Sequence, residues 1–468
     1  MSRLDRPILS SVWTVPQPNP KIILNLPRSL HSTTPFPANI LTLENGLTLI
    51  HQHVPSGVVA VDVWVKAGAI VEPDEWSGMA HFLEHMIFKG TDRQPPGSFD
   101  RAIENRGGMT NAATSYDYAH YFITTAAQHL SDTLPYLGDL LVNATIPDDE
   151  FDCERDVVLE EIRQTYDDPD CIAFEALMES VYQRHPYGRS ILGTEEKLME
   201  RSPAEMRQFH RSHYQPDNMT VVIVGDVSQD EAIRQVDRAF HPFQTPLTCA
   251  QSSLEAEPPL TEIRRQELRL PRLEQARLMM AWMTPGMNTP PLRPSEVLPW
   301  QRFPEAERRD PLQDAYGLEV LSVVLAESRS SRLVQELRED RQLVQGVSSG
   351  FTLQCESGIF TITAWLEPDQ LERVEALICD RLSQLITTPI TAGELARAKR
   401  LLCNDYAFST ETPSQLAGLY GYYHTIAQAD VAVSYPQRIQ AITVEDLQAL
   451  ASRYLSPYRY AAIVMKPL

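Results

Sequence analysis

The chain has 468 residues, 43% hydrophobic and 22% charged, which excludes a wholly disordered chain, a collagen-like fibre and a coiled coil. Its formal charge of −21, from 62 acidic and 41 basic residues, would repel a nucleic-acid backbone and attract a basic peptide. No apolar run reaches the roughly eighteen residues of a transmembrane helix, so neither a nucleic-acid nor a membrane partner is expected.

Residues 1–36 are rich in Pro and Ser and lack periodicity, which predicts a loosely ordered arm. Residues 1–26 hold no compact apolar core before a small-residue cleavage site, so a cytoplasmic location is expected. Order begins with two β-type runs, 40–44 and 47–53, around Asn45-Gly46, the strongest short hairpin signal. Val59, Val61, Val63 and Val65 then alternate with Ala60, Asp62, Trp64 and Lys66, the period of a strand. A helix is predicted over 77–89, stopped by Gly90. Strands follow near 109–111 and 119–124, then helical patterns over 130–143, 148–166 and 173–184, then a buried-type strand over 219–225. Residues 241–260 carry Pro242, Pro246, Pro258 and Pro259 among Ser, Gln and Glu, the composition of a linker.

The second half repeats the plan of the first. Residues 202–214 lead through Pro216 into the strand ending at Val224, and residues 443–454 lead through Pro457 into a strand over 460–464. Residues 277–283 resemble a first-half strand, 325–338 take the place of the His81 helix, and 358–364 form another strand. Seven prolines crowd 285–311, which predicts an exposed insertion loop. The expected fold class is α+β, with homologous domains over 37–240 and 261–468. Six cysteines without a C-x-x-C pair suit a reducing compartment and give no support to a cysteine-based metal site.

The sharpest chemical feature is His81-Phe-Leu-Glu84-His85. On a helix, residues four apart share a face, so the two imidazoles would point at one spot with Glu84 beside them. Two neutral imidazoles suit Zn²⁺, and an adjacent carboxylate can accept a proton from water. Phe82, Leu83, Met86, Ile87 and Phe88 argue against a solvated face, because a buried helix carries His and Glu only where something satisfies them. A catalytic zinc site needs a third protein ligand. Glu154, Val157, Val158 and Glu161 fall on one helical stripe, and Glu160 points about 100° away. Periodicity alone leaves Glu161 equally open to a surface role. His51 and His53 share one strand face, which reads as an exposed strand face before a metal pair. Asp167, Asp168 and Asp170 form an acidic loop that would favour basic substrates or only end a helix.

Together with Gly107-Gly-Met-Thr-Asn-Ala112, the Glu154/Glu161 pair and His185-Pro-Tyr-Gly188, this inverted zinc motif resembles the insulinase/pitrilysin family. Within it the chain is most similar to the mitochondrial processing peptidase branch and its bacterial two-subunit relatives, from about residue 37 onward. The resemblance implies two α/β-sandwich domains, each a mostly antiparallel sheet covered by helices, joined into a half-shell. It implies one Zn²⁺ per chain, held by His81, His85 and Glu161, with Glu84 activating water and Glu154 assisting. Met109, Thr110, Asn111 and Ala112 would be an edge strand that pairs with a peptide substrate, and Arg338 would help to hold that substrate. The implied activity is that of a zinc metalloendopeptidase acting on peptides or unfolded segments. Where the family has a Tyr seven residues after this Arg, the chain has Gln345. Either its amide substitutes or a zinc-less partner subunit supplies the Tyr; a heterodimer is expected, with a homodimer as the other arrangement. The competing function is a non-catalytic scaffold subunit, against which the intact His81, Glu84, His85 and Glu161 set argues.

Overall fold

The computed structural model describes residues 36–241, 243–248, 254–271, 273–288 and 310–468. The expected arm over 1–36 lies outside them except for Phe36, as does most of the expected insertion loop over 285–311. The chain forms two domains, each built on one sheet with helices packed against it. The first sheet comprises β1 (Asn39–Thr42), β2 (Thr48–His53), β3 (Val58–Val65), β4 (Met109–Thr114), β5 (Ala119–Ala126) and β6 (Met219–Gly225). The second comprises β7 (Arg264–Leu270), β8 (Ala276–Pro285), β9 (Val344–Leu353), β10 (Ser357–Leu366) and β11 (Ala461–Pro467).

The first sheet runs β1-β2-β6-β3-β5-β4 and the second β7-β11-β8-β10-β9. The two orders superimpose once the β1 edge is removed. In each, one pair is parallel, β2 with β6 and β7 with β11, and every other pair is antiparallel. The β1–β2 hairpin forms around Asn45-Gly46, where Gly46 takes φ +96° and the Leu47 N–H bonds the Asn45 side chain at 3.0 Å.

Helices of the first domain include α1 (Met79–Ile87), α2 (Ser98–Glu104), α3 (Leu130–Asn143), α4 (Asp148–Asp167) and α5 (Pro169–Val181). The alternation in β3 sends Val59, Val61, Val63 and Val65 into a core shared with α1, α3 and α4. Its other face is not solvated. Ala60 and Trp64 lie in the core that holds Tyr420, Tyr422 and Tyr423 of the second-domain helix Pro413–Ile426. That helix comes so close that a Cβ on Gly421 would stand 2.0 Å from Trp64 Nε1, so only glycine fits there. The exchange is mutual, since Ala173, Leu177, Met178 and Val181 of α5 pack with Met279, Ala281, Ile463 and Met465 of β8 and β11.

One expectation about the second domain is corrected. The helix between β8 and β9, in the place that α1 holds between β3 and β4, is Pro311–Leu325. Residues 325–338 instead cover its end, a turn and the π-helix Val334–Asp340. The earlier helix is buried on nearly every side, so its sequence lacks the apolar stripe that marks a surface helix. Among the described residues, no helix is long and apolar enough to cross a membrane.

Candidate metal centre

α1 and α4 build the centre. Phe82 of α1 packs on Phe151 of α4 with ring centroids 4.7 Å apart, which sets the two helices side by side. Leu83, Met86 and Ile87 fill the core beneath α1, and Val158, Leu159 and Ile162 do so for α4. The remaining faces meet. Val157 does not join the buried stripe expected for α4; it is 51% exposed, because the core lies on the Phe151–Val158–Ile162 side of the helix.

His81, His85 and Glu161 converge. Glu161 Oε2 lies 3.7 Å from His81 Nε2 and 3.4 Å from His85 Nε2. One donor atom from each of the three residues falls within 4.8 Å of the others, and no other such group of His, Cys, Asp and Glu occurs among the described residues. Four-coordinate Zn²⁺ takes imidazole nitrogen and carboxylate oxygen at about 2.0–2.2 Å, which puts tetrahedral donors about 3.4 Å apart. The donor set and two of its separations therefore fit such an ion, with a fourth position left for another ligand.

Glu154 lies behind His85 rather than among these donors. Its Oε1 is 3.0 Å from His85 Nδ1, and its Oε2 pairs with Lys89, whose ammonium also lies 3.7 Å from Glu150. With Nδ1–H donating to Glu154, it is the Nε2 proton that His85 would give up to an ion, leaving the Nε2 lone pair as the donor. Glu84 is held from another direction, as the Thr114 hydroxyl donates to its Oε2 at 2.6 Å.

The charges agree with this geometry. Burial, and then the neighbouring His85, hold His81 down at about 4, so its imidazole is neutral and available as a ligand. Burial alone would depress His85, but its bonds to Glu154 and Glu161 and the charges of Glu84 and Glu161 carry it up to about 9. In the metal-free chain a proton on His85 thus supplies the positive charge that a divalent ion would bring, and ion binding would release it. Burial would raise Glu154 and Glu161, yet the hydrogen bonds of His85 to both, and of Lys89 to Glu154, bring them below the usual carboxylate range. Burial raises Glu84, against the opposing pull of the Thr114 hydroxyl.

The expected substrate residues divide into two groups. Met109, Thr110, Asn111 and Ala112 lie on β4, the edge of the first sheet, which pairs only with β5 among the described residues. Met109 is 68% exposed. β4 ends at Thr114, so the hydroxyl that holds Glu84 ties this open edge to the centre. Arg338 sits elsewhere, in the π-helix of the second domain, with its guanidinium on Glu339 at 3.0 Å through Nε. Gln345 is exposed and donates to Glu367 at 3.0 Å. None of these described contacts brings Arg338 or Gln345 to the His81 cluster.

His51 and His53 form no metal pair. His51 is buried rather than on an exposed face, with Nε2 2.9 Å from the Val227 carbonyl, and His53 lies 3.3 Å from Asp226. His185 and Tyr187 are buried, and the Tyr187 hydroxyl donates to Asp117 at 2.5 Å, a role in the fold. Asp168 caps α5 by accepting from the Asp170 N–H at 2.8 Å. Sequence reasoning missed Lys89 and Thr114. Lys89 was within reach of it, four residues after His85 and just past the end of α1; Thr114 carried no signal, since only sheet register brings it to Glu84.

Comparison with known proteins agrees with this architecture. Residues 48–195 match the family model described as insulinase (peptidase family M16), and residues 202–402 match that of the peptidase M16 inactive domain. A Bacillus subtilis chain named uncharacterized zinc protease YmxG is 29% identical, covering 91% of this chain and 97% of its own. The Helicobacter pylori zinc protease PqqE is 28% identical over 95% of this chain and 97% of its own. A crystal structure of a protease from Helicobacter pylori superimposes with a TM-score of 0.81 at 26% identity, covering 92% of this chain and 99% of that one. With both of its halves matched by models of one family, the chain belongs to the insulinase, or M16, peptidase family.

Proposed function

We propose that the chain is a zinc-dependent endopeptidase subunit that hydrolyses peptides or unfolded protein segments. One observation carries this reading: His81, His85 and Glu161 offer three donors to one point, and Thr114 links the adjacent Glu84 to an open sheet edge. The names of the relatives support zinc and proteolysis.

An extended substrate adds to the outer edge of β4 by main-chain hydrogen bonds at Met109, Thr110, Asn111 and Ala112. His81, His85 and Glu161 hold the ion, and Glu154 orients His85 from behind. Zn²⁺ supplies Lewis acidity, lowering the pKa of water and polarising a carbonyl. Glu84 takes the proton of the attacking water and passes it to the leaving amine. The Thr114 hydroxyl occupies Glu84 Oε2, which leaves Oε1 for that proton.

A zinc-less partner subunit of the same fold completes the unit. This part of the reading is supported by Arg338 and Gln345, whose guanidinium and amide groups are engaged by Glu339 and Glu367 in this chain. The partner then supplies the substrate-holding pair. The test combines zinc content, solution size with and without a co-expressed similar chain, and peptide cleavage by wild type and Glu84→Gln. Cleavage that needs both zinc and Glu84 supports the peptidase. If wild type with its partner is as inert as Glu84→Gln, the chain is a scaffold subunit instead.

A further inference from the structure

α1 begins at a residue that cannot cap it. The first four backbone N–H groups of a helix have no partner inside it, and the N-cap residue here is Gly78, with no side chain to offer. Gly78 stands at φ +91°, and a Cβ there would lie 2.6 Å from the Leu192 carbonyl oxygen and 2.9 Å from the Cα of Gly193. The Ser, Thr, Asp or Asn that usually accept these N–H groups are therefore sterically excluded.

Glu72, six residues upstream, takes over the task. Its Oε2 accepts the Gly78 N–H at 3.1 Å, and its Oε1 accepts the Ala80 N–H at 2.7 Å. The residue is fully buried. Arg189 braces the segment that carries it, donating through Nη2 to the carbonyls of Ala69 at 2.8 Å and Glu72 at 3.2 Å, and through Nη1 to Asp74 at 2.7 Å.

Ala80 immediately precedes His81, and α1 has only nine residues. A helix that short is marginal alone, so its start is set by tertiary contacts. A slip of one residue would turn each side chain by about 100° and carry both imidazoles away from Glu161. We propose that Glu72 is a positioning residue of the metal centre: its carboxylate fixes where α1 begins and so keeps His81 and His85 in register with Glu161. The inference rests on the reading of these three residues as Zn²⁺ ligands.

The test is the Zn²⁺ affinity of the metal-free full chain, read by competition with a chromophoric chelator, alongside its metal-free melting temperature. Glu72→Gln is compared with Ser202→Ala, which removes the cap of the helix Pro203–His213. Glu72→Gln is expected to weaken Zn²⁺ binding about tenfold or more, the range for groups that support metal ligands from behind. Ser202→Ala should leave the affinity within about twofold even where it lowers the melting temperature as much. Arg189→Lys, a milder change, should fall between wild type and Glu72→Gln, and it reads the same device if Glu72→Gln is not recovered folded. Wild-type affinity in these variants, or a loss no greater than that of Ser202→Ala at equal melting temperature, overturns the inference alone. Absence of Zn²⁺ binding in wild type overturns the zinc reading and this inference with it.

Discussion

Glu154 Oε1 lies 3.0 Å from His85 Nδ1 while the other oxygen of the same carboxylate pairs with Lys89. One acidic side chain thereby orients His85 and neutralises a lysine just past the C-terminal end of α1. The carboxylate is itself buried, so its negative charge is retained only because both partners are present.

Replacing Glu154 by Gln should weaken Zn²⁺ binding by about 10–100-fold without abolishing it, because the ligands remain but the orientation of His85 and the pairing of Lys89 are lost. Glu161→Gln removes a donor and should eliminate stoichiometric zinc. Metal analysis and chelator competition on the purified chain separate the two; equal affinities for wild type and Glu154→Gln would contradict the assignment.

The Thr114 hydroxyl stabilises the ionised form of Glu84 against the burial that raises its pKa. A hydrogen bond to a charged group contributes about 1.5–3 kcal/mol, and one pKa unit corresponds to about 1.4 kcal/mol. Thr114→Val should therefore raise the pKa of Glu84 further. A base must be ionised to act, so the acidic limb of the kcat/KM profile should move to higher pH. An unmoved limb would show that this bond does not tune Glu84.

At the domain junction, the turn after β4 meets the turn before β10. Asp117 accepts from the Tyr187 hydroxyl at 2.5 Å and from the Cys355 N–H at 3.0 Å. Burial pushes Asp117 up to about 6; burial and then Asp117 push Glu356 up to about 7. Both acids titrate higher in the folded chain than in the unfolded one. Their contribution is fully present below the ordinary carboxylate range near 4 and is lost as pH rises from about 4 to about 7. Glu356→Gln should flatten that part of the melting-temperature profile and stabilise the chain near pH 7.5. Parallel profiles for variant and wild type would exclude the coupling.

Gly421→Ala places a methyl against the rigid indole of Trp64, where the ideal Cβ position is 2.0 Å from Nε1. The helix Pro413–Ile426 must then shift off the first sheet. A loss of about 1–3 kcal/mol or more is expected, read as a lower midpoint in denaturant titration. Retained stability would mean that the exchanged helix is loosely seated.

Much of this protein could be read from short stretches of residues. The Asn45-Gly46 hairpin, the alternation in β3 and the spacing of His81, Glu84 and His85 each depend on neighbours within one or two turns of backbone, where geometry follows from the chain itself. The duplicated order of elements was visible for the same reason. Tertiary structure alone decided the rest. It brought Glu161 to imidazoles 76 and 80 positions earlier, Thr114 to Glu84 through sheet register, and Glu72 to a helix start whose glycine could not cap it. It also laid a second-domain helix on the first sheet, so β3 is buried on both faces although its pattern reads as half-exposed. Local periodicity reports which side of an element is apolar; only packing reports which distant group satisfies a buried charge, because that satisfaction acts through space and leaves no repeat along the chain.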